Sequence, residues 1–321
     1  MPRVSVVLPT YNRSTVIGRA IKSVLEQTYV DFELIVVDDG STDSTLNVLD
    51  RYDPSRVRVI TLKKNSGPCR ARNIGISAAQ GELIAFHDSD DEWLPNKLAL
   101  QLDKLTHPQQ ESHRQVGAVY SRVISKSGGV FRLYFPPYDD SLTFRGDIYR
   151  QLLQRNVVGT PTMIVKRDVL NRVGLFDEEL TWLEDWDLAL RIAQRFDFEF
   201  VPQPLIITNW SLTGVNARND AKSMYRLLAK HLDAYATEFS EVGAEAFWMV
   251  GDKLMKDGYS RLGRISLKNA LKLSPKPHIA LALLASAGGS NAYTILSQVF
   301  SYSGKLSRLW HSQSNRTTGT S

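Results

Sequence analysis

The 321-residue sequence predicts an α/β fold, a parallel sheet with flanking helices, followed by a helical C-terminal region. Three observations carry this. Continuous apolar runs at Val4 to Leu8, Phe32 to Val37 and Leu83 to Phe86 have the composition of strands buried on both faces. Segments of helical periodicity separate them, and strand–helix alternation at this spacing builds a parallel sheet. From Asp220 onward the pattern is helical throughout.

Taken in order, Val4 to Leu8 forms the first strand, and Ser14 is placed to cap a helix with Ile17, Ala20, Ile21, Val24 and Leu25 on one face. Phe32 to Val37 is the second strand, and a helix with Leu46 and Leu49 inward precedes a third strand at Val57 to Leu62. Pro68 suits the first residue of the next helix, with Gly81 as its stop. Leu83 to Phe86 is the fourth strand. Val116 to Ser125 and Val130 to Tyr134 read as a hairpin turning at Gly128-Gly129. Thr162 to Lys166 reads as a strand, Arg167 to Val173 and Trp186 to Phe196 as helices, and Phe198 to Val201 and Leu205 to Trp210 as two short strands. Helices at 220–237, 241–257 and 259–273 follow, with Pro275 and Pro277 as a stop, then a last helix from Ala292 to Trp310. The expected organisation is a catalytic-type domain at 1–210, a helical region at 211–311 and a polar tail at 312–321.

Composition excludes several classes. The chain is 43% hydrophobic and 23% charged, which rules out a disordered or collagenous protein. One cysteine, Cys69, excludes an internal disulfide and a multi-cysteine zinc site. It reads as structural. The six histidines show no H-x-x-x-H pairing, and neither G-x-G-x-x-G nor the P-loop pattern occurs. The N-terminus, MPRVSVVLPTYNRS, has no long apolar stretch, so no secretory signal is expected. Ile279 to Gly288, the longest uncharged apolar stretch, is too short to span a bilayer. The net charge of +5 is uneven: residues 205–321 hold 14 Lys+Arg against 7 Asp+Glu, whereas residues 1–204 hold 25 against 27. The surplus has no aromatic interleaving, so nucleic acid is not an expected partner.

In an open α/β sheet ligands bind at the carboxyl ends of the strands, and there the polar residues cluster. Asp88-Ser89-Asp90-Asp91 follows the fourth strand. Clustered carboxylates repel one another, and a hard cation such as Mg²⁺ or Mn²⁺, with oxygen ligands, relieves that. A solvated acidic loop, or a helix cap, is the alternative. Asp38-Asp39-Gly40-Ser41-Thr42-Asp43 fits either hydrogen-bond acceptors for a base or ribose, or turn formers and an N-cap. Arg70 and Arg72, behind Gly67 near a helix N-terminus, suit either an anion or a solvated face. Glu184-Asp185-Trp186, with Trp182 close by, offers either a carboxylate base beside a sugar-binding surface or acidic residues favoured by the helix dipole.

Together, in the order VSVVLPTYNR, FELIVVDDGSTD, NSGPCRARNIGI, GELIAFHDSDD and TWLEDWDLALR, these motifs resemble glycosyltransferase family 2 over about residues 3–210. The resemblance implies a GT-A fold and an inverting, nucleotide-sugar-dependent transfer to an acceptor hydroxyl in glycan, polysaccharide or glycolipid synthesis. It implies that Pro9, Thr10 and Tyr11, with Arg13, line the nucleotide pocket, and that Asp39, with Asp38 beside it, binds the base, most often uracil. Gly67, Arg70 and Arg72 would hold the nucleoside side or the diphosphate. Asp88-Ser89-Asp90 would be the DxD-type motif, Asp88 near ribose and metal and Asp90 on Mg²⁺ or Mn²⁺. Asp185 would be the general base, with Trp182, Glu184 and Trp186 shaping the acceptor site. The implied partners are a nucleotide diphosphate sugar, UDP-linked by expectation, and a glycan, lipid-linked or other hydroxyl acceptor.

Two rival readings are a sugar-phosphate nucleotidylyltransferase and a non-catalytic nucleotide-binding module. The first lacks its Gly-rich loop, where PTYNRS stands instead; intact Asp88, Asp90 and Asp185 weigh against the second. The basic C-terminal region suggests peripheral contact with an anionic membrane from a cytoplasmic location.

Overall fold

The computed structural model describes residues 2–108, 114–127, 130–136, 144–209 and 220–302. The Gly128-Gly129 turn, Trp210 and the tail from 312 lie outside them. The chain divides into two compact units, Met1–Arg218 and Asn219–Ser321.

In the first unit the elements are β1 (Val4–Thr10), α1 (Ile17–Leu25), β2 (Phe32–Asp38), α2 (Thr45–Leu49), β3 (Val57–Thr61), α3 (Pro68–Ala78), β4 (Leu83–Phe86), β5 (Glu92–Trp93), α4 (Lys97–Thr106), β6 (Val116–Ser127), β7 (Val130–Phe135), α5 (Tyr149–Gln154), β8 (Ile164–Lys166), α6 (Arg167–Val173), α7 (Glu184–Ala193) and β9 (Asp197–Asn209). The strands form one sheet in the order β3-β2-β1-β4-β8-β6-β9-β5, with β7 paired to β6. β3, β2, β1 and β4 are parallel, as expected. Beyond them the sheet is mixed, because β8 runs antiparallel to β4 and to β6, and β5 antiparallel to β9.

The apolar runs do what their composition dictates. Every residue of β1 and β4 is buried, and α1 seals one face with Ile17, Ala20, Ile21 and Val24. Ser14 does not cap this helix: its backbone N–H donates to Asp43 Oδ2 (3.1 Å), and α1 starts at Ile17 with no side-chain cap. Gly81 does not stop α3 either, which ends at Ala78. Its role is close approach, since a Cβ there would lie 2.7 Å from the backbone nitrogen of Ser5 on β1. Thr160–Thr162 forms a 3-10 turn, so the strand expected from Thr162 begins at Ile164. The two short strands expected at 198–210 are one, β9, pairing in parallel with β6 through register shifts near Arg122, which lies opposite Pro204. Prolines lack the ladder donor and are tolerated at such irregularities.

The second unit holds α8 (Ala221–Lys230), α9 (Leu232–Glu238), α10 (Ser240–Lys256), α11 (Ser260–Leu273), α12 (Pro277–Ala285) and α13 (Gly289–Tyr302). The expected helix 220–237 is split at His231. Pro277 is not a stop: it opens α12, where its missing N–H costs nothing. The last helix begins at Gly289, before the expected Ala292. Met255, Leu267, Ala285 and Tyr293 form the core of this unit.

Gly81→Ala should destabilise the first unit by about 1–3 kcal/mol, the usual cost of overpacking, because the backbone of β1 cannot give way. Urea unfolding followed by tryptophan fluorescence would measure it; an unchanged midpoint would refute the close-approach role.

Candidate active site

The loops after β1, β2 and β3 are knitted together by side chains. Asn12, at φ +51, accepts from the Thr42 backbone N–H (2.8 Å) and donates its own N–H to Ser41 Oγ (2.9 Å). The Asp39 carboxylate accepts the backbone N–H groups of Ser66 and Gly67, both at 2.8 Å. Gly40, at φ +73, lies so close to Lys64 that a Cβ would meet that residue's backbone at 2.8 Å. The second loop therefore folds tightly under the third.

The resemblance assigns Asp39 to the base; in the structure each of its carboxylate oxygens also accepts a backbone N–H. Unmet acceptors sit one residue away. Thr10 and Asp38 are register partners at the carboxyl ends of β1 and β2. Both are buried, and Thr10 Oγ1 and Asp38 Oδ1 have no hydrogen-bond partner. Buried polar atoms without partners are rare and point to something absent. Pro9 is buried in β1, Tyr11 is exposed, and Gly67 caps α3 with open space around its Cα.

The centre of the site is Arg72, on α3 and 5% exposed. Its Nη2 donates to Asp88 Oδ1 (2.8 Å) and its Nη1 to Glu184 Oε1 (3.0 Å). Its guanidinium lies 5.4 Å from the centre of the Phe176 ring. Arg70 is not brought here. Two residues along a helix turn the side chain by about 200°, and Arg70 faces Glu178 instead (3.5 Å).

Asp88 follows β4, with Ser89 buried and Asp90 half-buried beyond it. Burial first, and then the neighbouring Asp88 charge, pushes Asp90 above the usual carboxylate range, against the pull of Arg13, whose Nη2 is 3.8 Å away. Two crowded carboxylates, all oxygen donors, suit a hard divalent cation completed by phosphate oxygens. Among the described residues no group of three or more His, Cys, Asp or Glu could hold an ion alone, so substrate oxygens would have to complete the shell.

α7 opens at Leu183, a buried residue held at φ +66. Asp185 Oδ1 accepts from Asn156 Nδ2 (3.2 Å) and from the Trp186 backbone N–H (2.6 Å). Burial, then the adjacent Glu184 charge, raises Asp185 to about 7, while the Trp186 N–H and Arg72 pull the other way. Trp186 Nε1 donates to the Leu152 carbonyl (2.6 Å), so its ring is anchored to α5. Trp182 is half-buried just before the turn. Asn156 escaped sequence reading, because a lone Asn in an irregular stretch carries no periodicity. Buried Lys97 donates to Gln101 Oε1 (2.6 Å) and lies 4.1 Å from the centre of the Trp93 ring. Cys69 is buried, with its thiol pushed up to about 12 chiefly by that burial, consistent with a structural role.

Comparison with known proteins bears on the family and the fold. Residues 5–174 match the model for glycosyl transferase family 2. WcaA of Escherichia coli (strain K12), assigned to colanic acid biosynthesis as a glycosyl transferase, is 30% identical over 285 residues, covering 85% of this chain and 96% of WcaA. The UDP-Glc:α-D-GlcNAc-diphosphoundecaprenol β-1,3-glucosyltransferase WfgD of Escherichia coli is 32% identical over 212 residues, covering 65% of this chain and 77% of WfgD. Some longer glycosyltransferase relatives are covered over only 30% of their length. Among solved structures, S. aureus TarS 1-349 in complex with UDP superposes with a TM-score of 0.63 at 21% identity, over 95% of this chain and 93% of that one. The likeness to TarS is one of fold.

Arg72→Met should cost about 3 kcal/mol, since it leaves two half-buried carboxylates without their cation. Chemical denaturation at neutral pH would measure this. A loss no larger than that of a surface ion pair would show that the bridge is not structural.

Proposed function

The chain belongs to glycosyl transferase family 2 and is a glycosyltransferase, and we propose that it moves a sugar from a UDP-linked donor to an acceptor hydroxyl with inversion at the anomeric carbon. The observation that carries this reading is the Arg72 bridge. One guanidinium ties Asp88, on the donor side, to Glu184, whose neighbour Asp185 is the carboxylate raised to about 7.

The nucleotide sits at the carboxyl ends of β1 and β2, where Thr10 Oγ1 and Asp38 Oδ1 supply the unmet acceptors, with Pro9, Tyr11 and Arg13 around them. The Asp39 carboxylate holds the Ser66–Gly67 loop that closes this pocket. Asp88 and Asp90 hold Mg²⁺ or Mn²⁺ when it is bound, and the ion supplies positive charge against the departing diphosphate. Arg72 holds Asp88 in place and adds charge nearby. The acceptor lies over Trp182 and Trp186, whose rings provide an apolar face with a polar edge.

The acceptor hydroxyl oxygen forms the new bond to C1 while its proton passes to the Asp185 carboxylate. The bond from C1 to the diphosphate oxygen breaks with its electron pair leaving on UDP. A single displacement inverts the anomeric centre and needs no covalent glycosyl-enzyme. A base acts best when its pKa lies near the working pH, and burial puts Asp185 in that range. WfgD, by its name, uses UDP-glucose and a diphosphoundecaprenol-linked acceptor, so a UDP-sugar and a lipid-linked sugar in glycan assembly head the substrate classes to assay.

Asp185→Asn should lower transfer by at least about a hundredfold and leave UDP binding by calorimetry nearly unchanged. The sign of its stability effect follows from the raised value. Folding favours the protonated carboxyl, so stability falls as pH rises from the ordinary value of 3.8 to about 7, and the loss is complete above it. The Asn variant should then melt no lower than the parent at alkaline pH. The parent's kcat/KM should fall as pH drops below about 7. Near-parental transfer by the variant would reject Asp185 as the base. Separately, Asp90→Asn should weaken Mn²⁺-supported UDP binding by about tenfold or more, read by titration with and without the metal.

A further inference from the structure

The second unit carries an unusual surface. Eight of the eleven large apolar side chains exposed among the described residues lie in it, including Leu284 at 72% and Ile295 at 64% exposure. The segment Pro277–Ser297 has a mean hydropathy of 1.4 over its most apolar stretch, yet only 22% of that stretch is buried. By length and composition it could cross a bilayer, contrary to the expectation drawn from Ile279–Gly288 alone.

Its backbone argues against a span. Gly289, at φ +80 and ψ −176, ends the 3-10 turn that follows α12 and breaks the path of the helix. Nine residues of α12 and fourteen of α13 give rods of about 14 and 21 Å, each short of a hydrocarbon core of about 30 Å. Both also pack into the unit's own core through Ala285 and Tyr293, and the Tyr293 hydroxyl donates to Asp252 Oδ1 (2.9 Å). Exposed leucine and isoleucine on short helices fixed to a folded unit suit lying on a bilayer rather than crossing it.

Charge names the occupant. From Gly258 to Ser321 the sequence has no Asp or Glu and eight Lys or Arg. On α11, Arg261, Arg264, Lys268 and Lys272 are spaced by three and four residues, so they form one stripe. All four are exposed, opposite the buried face of Gly263, Ser266, Leu267 and Ala270. A second protein copy offering the same surface would meet like charge, and a neutral apolar partner would leave the stripe unused. An anionic lipid bilayer satisfies both the cations and the apolar side chains.

We infer that the second unit binds peripherally to membranes containing anionic phospholipid, using the α11 stripe for headgroups and the exposed side chains of α12 and α13 for the acyl boundary. This goes beyond the proposed transfer reaction and does not depend on it.

The test is vesicle flotation of the full chain with phosphatidylcholine, with and without phosphatidylglycerol. Binding should appear only with phosphatidylglycerol and weaken as salt rises. Each surface cation is worth about fivefold in partitioning, so Arg264→Gln with Lys268→Gln should lower it by roughly twenty-five-fold. Leu284→Gln with Ile295→Gln should lower it by about tenfold or more. Both pairs alter exposed residues, and an unchanged melting temperature and circular dichroism spectrum would verify the fold. The proposal fails if phosphatidylglycerol makes no difference, or if either variant pair binds like the parent. It also fails if ultracentrifugation shows a dimer that the Leu284/Ile295 pair dissociates, because the apolar face would then belong to a second copy.

Discussion

A buried arginine between two carboxylates organises the first unit. Arg72 reaches Asp88 from α3 and Glu184 from the same helix, so three segments far apart in sequence share one charge arrangement. Removing such a cation from water is costly, and hydrogen bonds to both acids offset that cost. The Phe176 ring against the guanidinium excludes water from one side. The consequence is positional. The loop after β4 and the first turn of α7 are held in mutual register by a planar group with fixed donor geometry. A lysine in its place would supply the charge without the two-ended fork.

That bridge works because the sheet already delivers both ends. β4 is buried throughout and packs beside β1, which brings Asp88 to the same edge as Thr10 and Asp38. Gly81 allows the chain before β4 to pass within contact of β1, and a side chain there would push the strands apart. The fold thus converts apolar strand runs into a row of polar residues at one edge, which is where the strand order places ligands.

How much of this was legible in sequence depended on the range of the interaction. β1, β2 and β4 announced themselves because strands buried on both faces must be apolar at every position. α6 has the bounds the sequence predicts, and Gly174, at φ +86, ends it. β9 looked like two strands, because Pro202 and Pro204 interrupt the ladder pattern; only pairing with β6 tells a shifted strand from a broken one. Asn156 was invisible because its role is set by contact across 29 positions. Arg70 and Arg72, both offered as anion ligands, part in the structure: Arg70 faces Glu178, and Arg72 meets Asp88 and Glu184. The helical turn between them was already available from the sequence, and it places them on different faces. Pro277 was read as a stop when its position after an extended residue equally suits a start.

The first turn of α7 shows how a fold selects one acid among several. Glu184, Asp185 and Asp187 all stand there, favoured by the helix dipole and disfavoured by one another. Glu184 is paired with Arg72, which it shares with Asp88, and Asp187 with Arg191, at 2.8 Å. Among the described residues Asp185 has no such cation; it has the Asn156 amide and the Trp186 N–H, which are dipoles. Hydrogen bonds from dipoles favour the carboxylate less than a paired cation does, so burial and the Glu184 charge prevail and Asp185 titrates near neutrality. Leu183 in the left-handed region sets where that turn begins. Holding a bulky residue there costs about 1–2 kcal/mol, which the packing of its buried side chain must offset. A cation placed beside Asp185 would stabilise its ionised form and so remove a carboxyl poised to accept a proton at neutral pH.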